Sequence, residues 1–178
     1  LERLLAKEPG VEVVLTRRTD EYVGLQERTA IANREGADLF VSIHANASRN
    51  RSARGVESYL LNFASTPDAA AVAARENASS TLTMSHLNDL VKQIALNSKL
   101  DESRDLARHV QTAMVRKLRT SNQQVRDLGV KQAPFIVLVG ASMPSVLVEV
   151  SFLSHTQEGR LLGTGAYPTE DAVDADLI

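Results

Sequence analysis

The stretch Leu39–Ala47, LFVSIHANA, reads as a buried strand that ends on a histidine. Leu39, Phe40, Val41 and Ile43 form a short β-branched and aromatic run, as in strands covered on both faces. His44 follows at the carboxyl end, where open α/β sheets place their ligand crevices. Asn46 and the polar Ser48–Asn50 then supply turn chemistry. A lone histidine in such a run is most often a satisfied core or surface residue. A second apolar run, Ser145–Val150, alters the weighing because it delivers Glu149 in a similar way. A histidine and a glutamate at the ends of buried strands supply half of a metal-hydrolase site. The competing reading of Glu149 is a buried salt bridge to Arg17 or Arg28.

Composition narrows the classes. The 178 residues suffice for one domain with a real core. A formal net charge of −2 gives no general basic field, which speaks against a nucleic-acid partner. Cysteine is absent, so disulfides and Cys-type zinc sites are excluded and any metal falls to His, Asp and Glu. No apolar run approaches the ~18 residues of a membrane span, and no secretory signal is visible. The opening LERLLAKEPG reads as the last turns of an amphipathic helix stopped by Pro9-Gly10, so Leu1 reads as a cut point.

Working outward from the central strand, Val11–Leu15 reads as a strand. A helix over 24–34 turns Leu25, Thr29, Ala30 and Ile31 inward and ends at Gly36. Gly55 opens a strand at Val56–Leu61. An alanine-rich helix runs from Pro67 to about Ala78. Ser85 caps a helix from His86 to about Asn97, whose stripe is Leu87, Leu90, Val91, Ile94 and Ala95. The spacing predicts a longer helix over 102–119, buried through Leu106, Val110, Ala113, Met114 and Leu118, with Asp101 or Ser103 as cap. Strands at Phe135–Val139 and Ser145–Val150 and a short helix at Thr156–Leu162 complete the pattern. The acidic tail over 167–178 has no clear pattern. This order of elements implies a mixed or mostly parallel sheet.

Six segments in order, LTRRTD, LQERTAIAN, ADLFVSIHANA, GVESYLL, ARENAS and PSVLVEVSFLS, resemble the zinc-dependent N-acetylmuramoyl-L-alanine amidases of the amidase-3 family. The resemblance covers the chain to about Leu162. It implies an α/β fold in a single domain over 1–166, a twisted, mostly parallel sheet flanked by helices, with a helical insertion on the active-site side. It further implies one catalytic Zn2+ and hydrolysis of the amide joining N-acetylmuramic acid to the L-alanine of the peptidoglycan stem peptide.

By the same resemblance, His44 matches a zinc ligand and Glu149 the catalytic base, with Asn46 and Arg28 as supporting residues. The residues around Glu149 agree with that role, since a carboxylate among Val146, Leu147, Val148 and Val150 is disfavoured as an anion. The family's first zinc histidine, in a DPGHGG-like turn, and a glutamate ligand have no counterpart after Leu1, so the chain reads as truncated at its N-terminus. His86 and His109 read as solvated residues of predicted helices, and His155, where the family often has asparagine after FLS, stands near Glu149 in sequence but is not read as a ligand. Segment 67–100 resembles the regulatory insertion of periplasmic cell-division amidases. There a helix covers the site until a LytM-type activator displaces it, which makes Glu76 the candidate zinc-blocking residue and the Leu87–Ile94 stripe a candidate activator face; the competing reading of Glu76 is an exposed helix charge. The resemblance implies an extracytoplasmic, periplasmic location. Two other classes remain: a non-catalytic module that binds peptidoglycan or a division partner, and an unrelated α/β hydrolase or nucleotide-binding domain. The second is weakened by the lack of GxSxG, GxGxxG and P-loop motifs.

Overall fold

The structure, a computed structural model, describes residues 1–80, 99–120 and 122–164. A helical turn, α1 (Glu2–Leu5), and helix α2 (Leu25–Glu35) precede strand β1 (Phe40–Asn46). Strand β2 (Val56–Leu61), helix α3 (Pro67–Glu76) and helix α4 (Leu100–Arg119) follow. Strand β3 (Asp127–Ala133), strand β4 (Ser145–Phe152) and helix α5 (Thr156–Gly163) close the described chain. The predicted helix over 86–97, its apolar stripe and the tail over 167–178 lie outside the described residues.

The four strands form one sheet in the order β1-β4-β2-β3. β1 pairs parallel with β4 and β2 parallel with β3, while β2 and β4 run antiparallel. The expected α/β fold with a mostly parallel sheet between helices is therefore the observed one.

Strand side chains alternate between faces, so the register sorts the sheet into two. Val41, Val130, Val146, Val148 and Val150 meet α4 through Ala107, Leu106, Val110 and Met114. Phe40, Tyr59, Leu61, Ala133 and Leu147 face the other way, into a core shared with Leu25 and Ala32 of α2 and Ala69, Val72 and Ala73 of α3. Tyr59 and Phe135 meet there edge to face, with centroids 5.0 Å apart, an arrangement worth about 0.5–1.5 kcal/mol beyond burial. The α3 part of segment 67–100 is thus built into the main core. Thr66 caps it, its hydroxyl accepting from the Ala69 amide.

Several sequence expectations are corrected. Val11–Leu15 makes no strand: only Leu15 forms a bridge, because β-propensity yields a strand only where a neighbour supplies a ladder. Phe135–Val139 is no strand either. A 3-10 turn at Ile136–Leu138 sits there, fully buried, and the strand is β3, before Pro134. A short apolar run cannot by periodicity separate a buried strand from a buried turn. In α2 the inward residues are Leu25, Arg28, Thr29 and Ala32, and Ala30 is exposed. Gly36 ends that helix as expected, in the left-handed region at φ 66°.

The buried seam of α4 is Ser103, Ala107, Gln111, Val115 and Leu118. The predicted Leu106, Val110 and Met114 flank it half-buried, and Ala113 is exposed. Two polar residues enter the seam because they satisfy buried partners. Ser103 Oγ accepts from the Ser145 amide at 3.0 Å. Gln111 accepts from Ser58 at 2.8 Å and donates to the Val56 carbonyl and to Asp127. Lys99, without a side-chain cap hydrogen bond, precedes the helix in place of the expected Asp101 or Ser103 cap.

Candidate functional site

Register assembles the site. His44 on β1 stands opposite Glu149 on β4, and Glu149 stands opposite Glu57 on β2. The three side chains therefore form a row across adjacent strands. They project from the sheet face that also carries Tyr59 and Leu147, the face that α3 covers.

Glu149 is fully buried, and neither carboxyl oxygen has a hydrogen-bond partner among the described residues. Burial, above all, holds its pKa well above the usual carboxylate range. The carboxylates of Glu76 and Glu57 push in the same direction, and the Arg75 guanidinium pulls against them. The salt-bridge reading of Glu149 is thereby corrected, since neither Arg17 nor Arg28 meets its carboxyl. Arg28 is buried on α2 and its Nε donates to the Val23 carbonyl at 3.0 Å.

His44 has a carboxylate at one ring nitrogen and a hydroxyl at the other. Nδ1 lies 2.7 Å from a Glu76 carboxylate oxygen, with the side chains 17% and 24% exposed. Nε2 lies 3.0 Å from Ser42 Oγ. Glu76 reaches it from the last residue of α3. That end is pinned by Asn77, which donates to the Pro134 carbonyl and accepts from the Ile136 amide.

Asn46 links the row to α3. Its Nδ2 donates to Glu57 at 2.9 Å and its Oδ1 accepts from Arg75 at 2.9 Å. Glu57, Tyr59, Lys131 and Arg75 are the site residues that sequence reasoning missed. Glu57 accepts from Asn46, from the Tyr59 hydroxyl at 2.8 Å and from Lys131 Nζ. Burial first, then Glu57, pushes the Tyr59 hydroxyl far above its ordinary pKa, so it stays a donor. The available signal was parity: Glu57 and Tyr59 stand two apart in a strand buried throughout.

The other histidines with described positions lie elsewhere. His155 precedes α5 as its cap, Nδ1 accepting from the Glu158 amide at 3.3 Å. His109 is exposed on α4, its Nδ1 against the Asp105 carbonyl.

A zinc shell takes imidazole and carboxylate donors, and His44 with Glu76 is of that chemistry. Among the described residues, however, no group of three or more His, Cys, Asp or Glu is placed to hold a metal ion. The pair by itself does not make up such a shell. Beside the row, a groove of about 910 Å³ opens between α3 and the loop after β1, with Asn46, Glu57, Tyr59 and Lys131 among its lining residues.

A family model described as N-acetylmuramoyl-L-alanine amidase (Amidase_3) matches residues 1–174. The amidase AmiA of Escherichia coli (strain K12) is 34% identical over 176 residues, covering 93% of this chain and 58% of AmiA. The amidase LytC of Bacillus subtilis (strain 168) is 32% identical over 163 residues, covering 92% of this chain and 25% of LytC. An amidase structure from Clostridium difficile 630 superposes with a TM-score of 0.63 at 27% identity, over 92% of this chain and 67% of that one. The amidase AmiC2 of Nostoc punctiforme gives 0.58 at 25%, over 92% and 67%. The chain spans 58% of the length of AmiA from both Escherichia coli and Salmonella typhimurium.

Proposed function

The chain belongs to the N-acetylmuramoyl-L-alanine amidase family, and on that premise we propose that it is the hydrolytic part of a peptidoglycan amidase. The bond cleaved joins N-acetylmuramic acid to the L-alanine of the stem peptide, and the setting is extracytoplasmic, in the periplasm. Zinc is the cofactor, with His44 as one ligand; when bound it supplies a polarised carbonyl and a water of lowered pKa. Glu149 is the general base and then the acid. The observation that carries this is a buried carboxyl directly opposite His44 with no hydrogen-bond partner among the described residues. A carboxyl whose pKa burial raises can take a proton from water near neutral pH and return it to the departing L-alanine nitrogen. Asn46 positions the neighbouring Glu57.

Glu76 supports a regulatory reading of the same site. Its carboxylate occupies the His44 ring nitrogen at 2.7 Å, so Glu76 competes with a metal for that ligand. Displacement by a partner such as a LytM-type activator would release it. Because α3 is part of the core, the test is a point substitution: Glu76→Ala raises basal hydrolysis, and an unchanged rate removes the gating idea.

The main test measures zinc stoichiometry together with release of stem peptides from purified peptidoglycan, on this chain and on a version extended upstream. One zinc and peptide release that Glu149→Gln abolishes support the amidase. Absence of both from both proteins replaces it with the non-catalytic binding module.

A further inference from the structure

The groove beside the catalytic row carries more positive than negative charge. Arg49, Arg54, Arg75, Arg126 and Lys131 line it against two carboxylates, Glu57 and Asp68. Lys131 is paired with Glu57, and Arg75 donates to Asn46. The side chains of Arg49, Arg54 and Arg126 make no hydrogen bond or ion pair with the described residues. The protein as a whole carries a net charge of −2, so this local excess is not a general property of its surface.

The arginines sit on a braced rim. In the loop after β1, the Ser48 amide donates to Ser154 Oγ, and the Ser52 amide donates to Asn50 Oδ1. Gly55 follows Arg54, and its amide donates to the buried Glu158 carboxylate at 2.9 Å. At φ 117° a Cβ on Gly55 would fall 2.5 Å from the Arg126 carbonyl oxygen. That close approach, with the Val56 amide donating to the same carbonyl, fixes the backbone carrying Arg54 beside the backbone carrying Arg126. Guanidinium groups on a fixed rim suit planar carboxylates, which they bind in a fork.

We propose that this groove binds the peptide side of the scissile amide through its free carboxylates, with Arg54 and Arg126 as specificity-determining residues and Arg49 as a third cation. The proposal rests on the amidase reading for the identity of its ligand. It extends that reading by assigning the peptide to the groove that runs from Asn46 and Glu57 to the arginine rim. Asp68, on the α3 side, opposes the ligand's charge.

The test is binding, separate from cleavage. The probes are a synthetic stem peptide with free carboxylates and the same peptide with every carboxylate amidated, titrated calorimetrically into this chain. The carboxylate form should bind about tenfold or more tightly, as expected of charge-assisted bonds, and only that preference should fade as salt rises. Arg54→Gln and Arg126→Gln should each remove most of the preference while leaving the circular dichroism unchanged. Asp68→Asn should strengthen it, which guards against reading a folding defect as lost binding. Equal binding of the two peptides, or a preference that survives both arginine substitutions, overturns the proposal even if peptidoglycan is cleaved. A preference that the arginines control, with no peptide released by the upstream-extended protein, would retain the groove and reject the amidase.

Discussion

Glu57 and Glu149 face each other across β2 and β4, both fully covered, on the same face of one sheet. Glu57 accepts hydrogen bonds from an amide, a phenol and an ammonium group. Glu149 accepts none among the described residues. Burial is common to both, so burial alone does not mark a reactive carboxyl. A satisfied carboxylate holds elements together, whereas an unsatisfied one stores free energy that proton transfer can draw on. Glu158 belongs with Glu57: it is buried and takes the Gly55 and Phe152 amides and the Ser151 hydroxyl.

The sharpest way to break this comparison is Glu149→Gln. In a form of the protein that cleaves peptidoglycan, hydrolysis should fall about 10²–10⁴-fold, the usual contribution of a positioned acid–base group. Stability at pH 7 should be unchanged or higher. A Glu149→Gln protein that keeps its rate would put Glu149 with the structural carboxylates.

Glu57→Ala should act in the opposite sense on stability. It strands Lys131, Tyr59 and Asn46 without their shared acceptor, a loss of about 2–3 kcal/mol, read as a lower urea midpoint. Glu158→Ala leaves two buried amides and a hydroxyl unmet and should cost about 2 kcal/mol. The same urea midpoint reads that loss.

The smallest expected effect is one of pH. A raised folded pKa means that the native state holds the Glu149 proton after the unfolded chain has released it. Its contribution to stability is therefore fully present below the ordinary carboxyl pKa of about 4.3 and is lost as pH climbs toward the raised folded value. Wild type should lose stability relative to Glu149→Gln as pH rises from 4 into the neutral range. Parallel pH–stability curves for the two proteins would show that Glu149 titrates normally.

The readings that succeeded rested on local chemistry with one strong outcome. The β1 and β4 runs, Gly36 as the stop of α2, and Gly55 before β2 each follow from backbone preference or continuous apolarity. The readings that failed involved residues whose environment is non-local. Phe135–Val139 has the composition of a strand and folds as a buried turn, because β3 had already taken the sheet position beside β2. The α4 seam admits Ser103 and Gln111 since β4 and β2 offer buried partners for them, and no helical periodicity contains that information.

By itself, the sequence determined the family, the α/β class, and that one buried strand carries His44 and another Glu149, although neither residue ends its strand: β1 runs on to Asn46 and β4 to Phe152. Those depend on residue type and order, which the chain carries locally. Only tertiary structure decided that His44, Glu149 and Glu57 form a row, because register fixes which side chains stand opposite and which face they share. It also decided that Glu149 is orphaned while Glu57 is satisfied, since that difference depends on the placement of Asn46, Tyr59, Lys131 and the end of α3 around two chemically identical side chains.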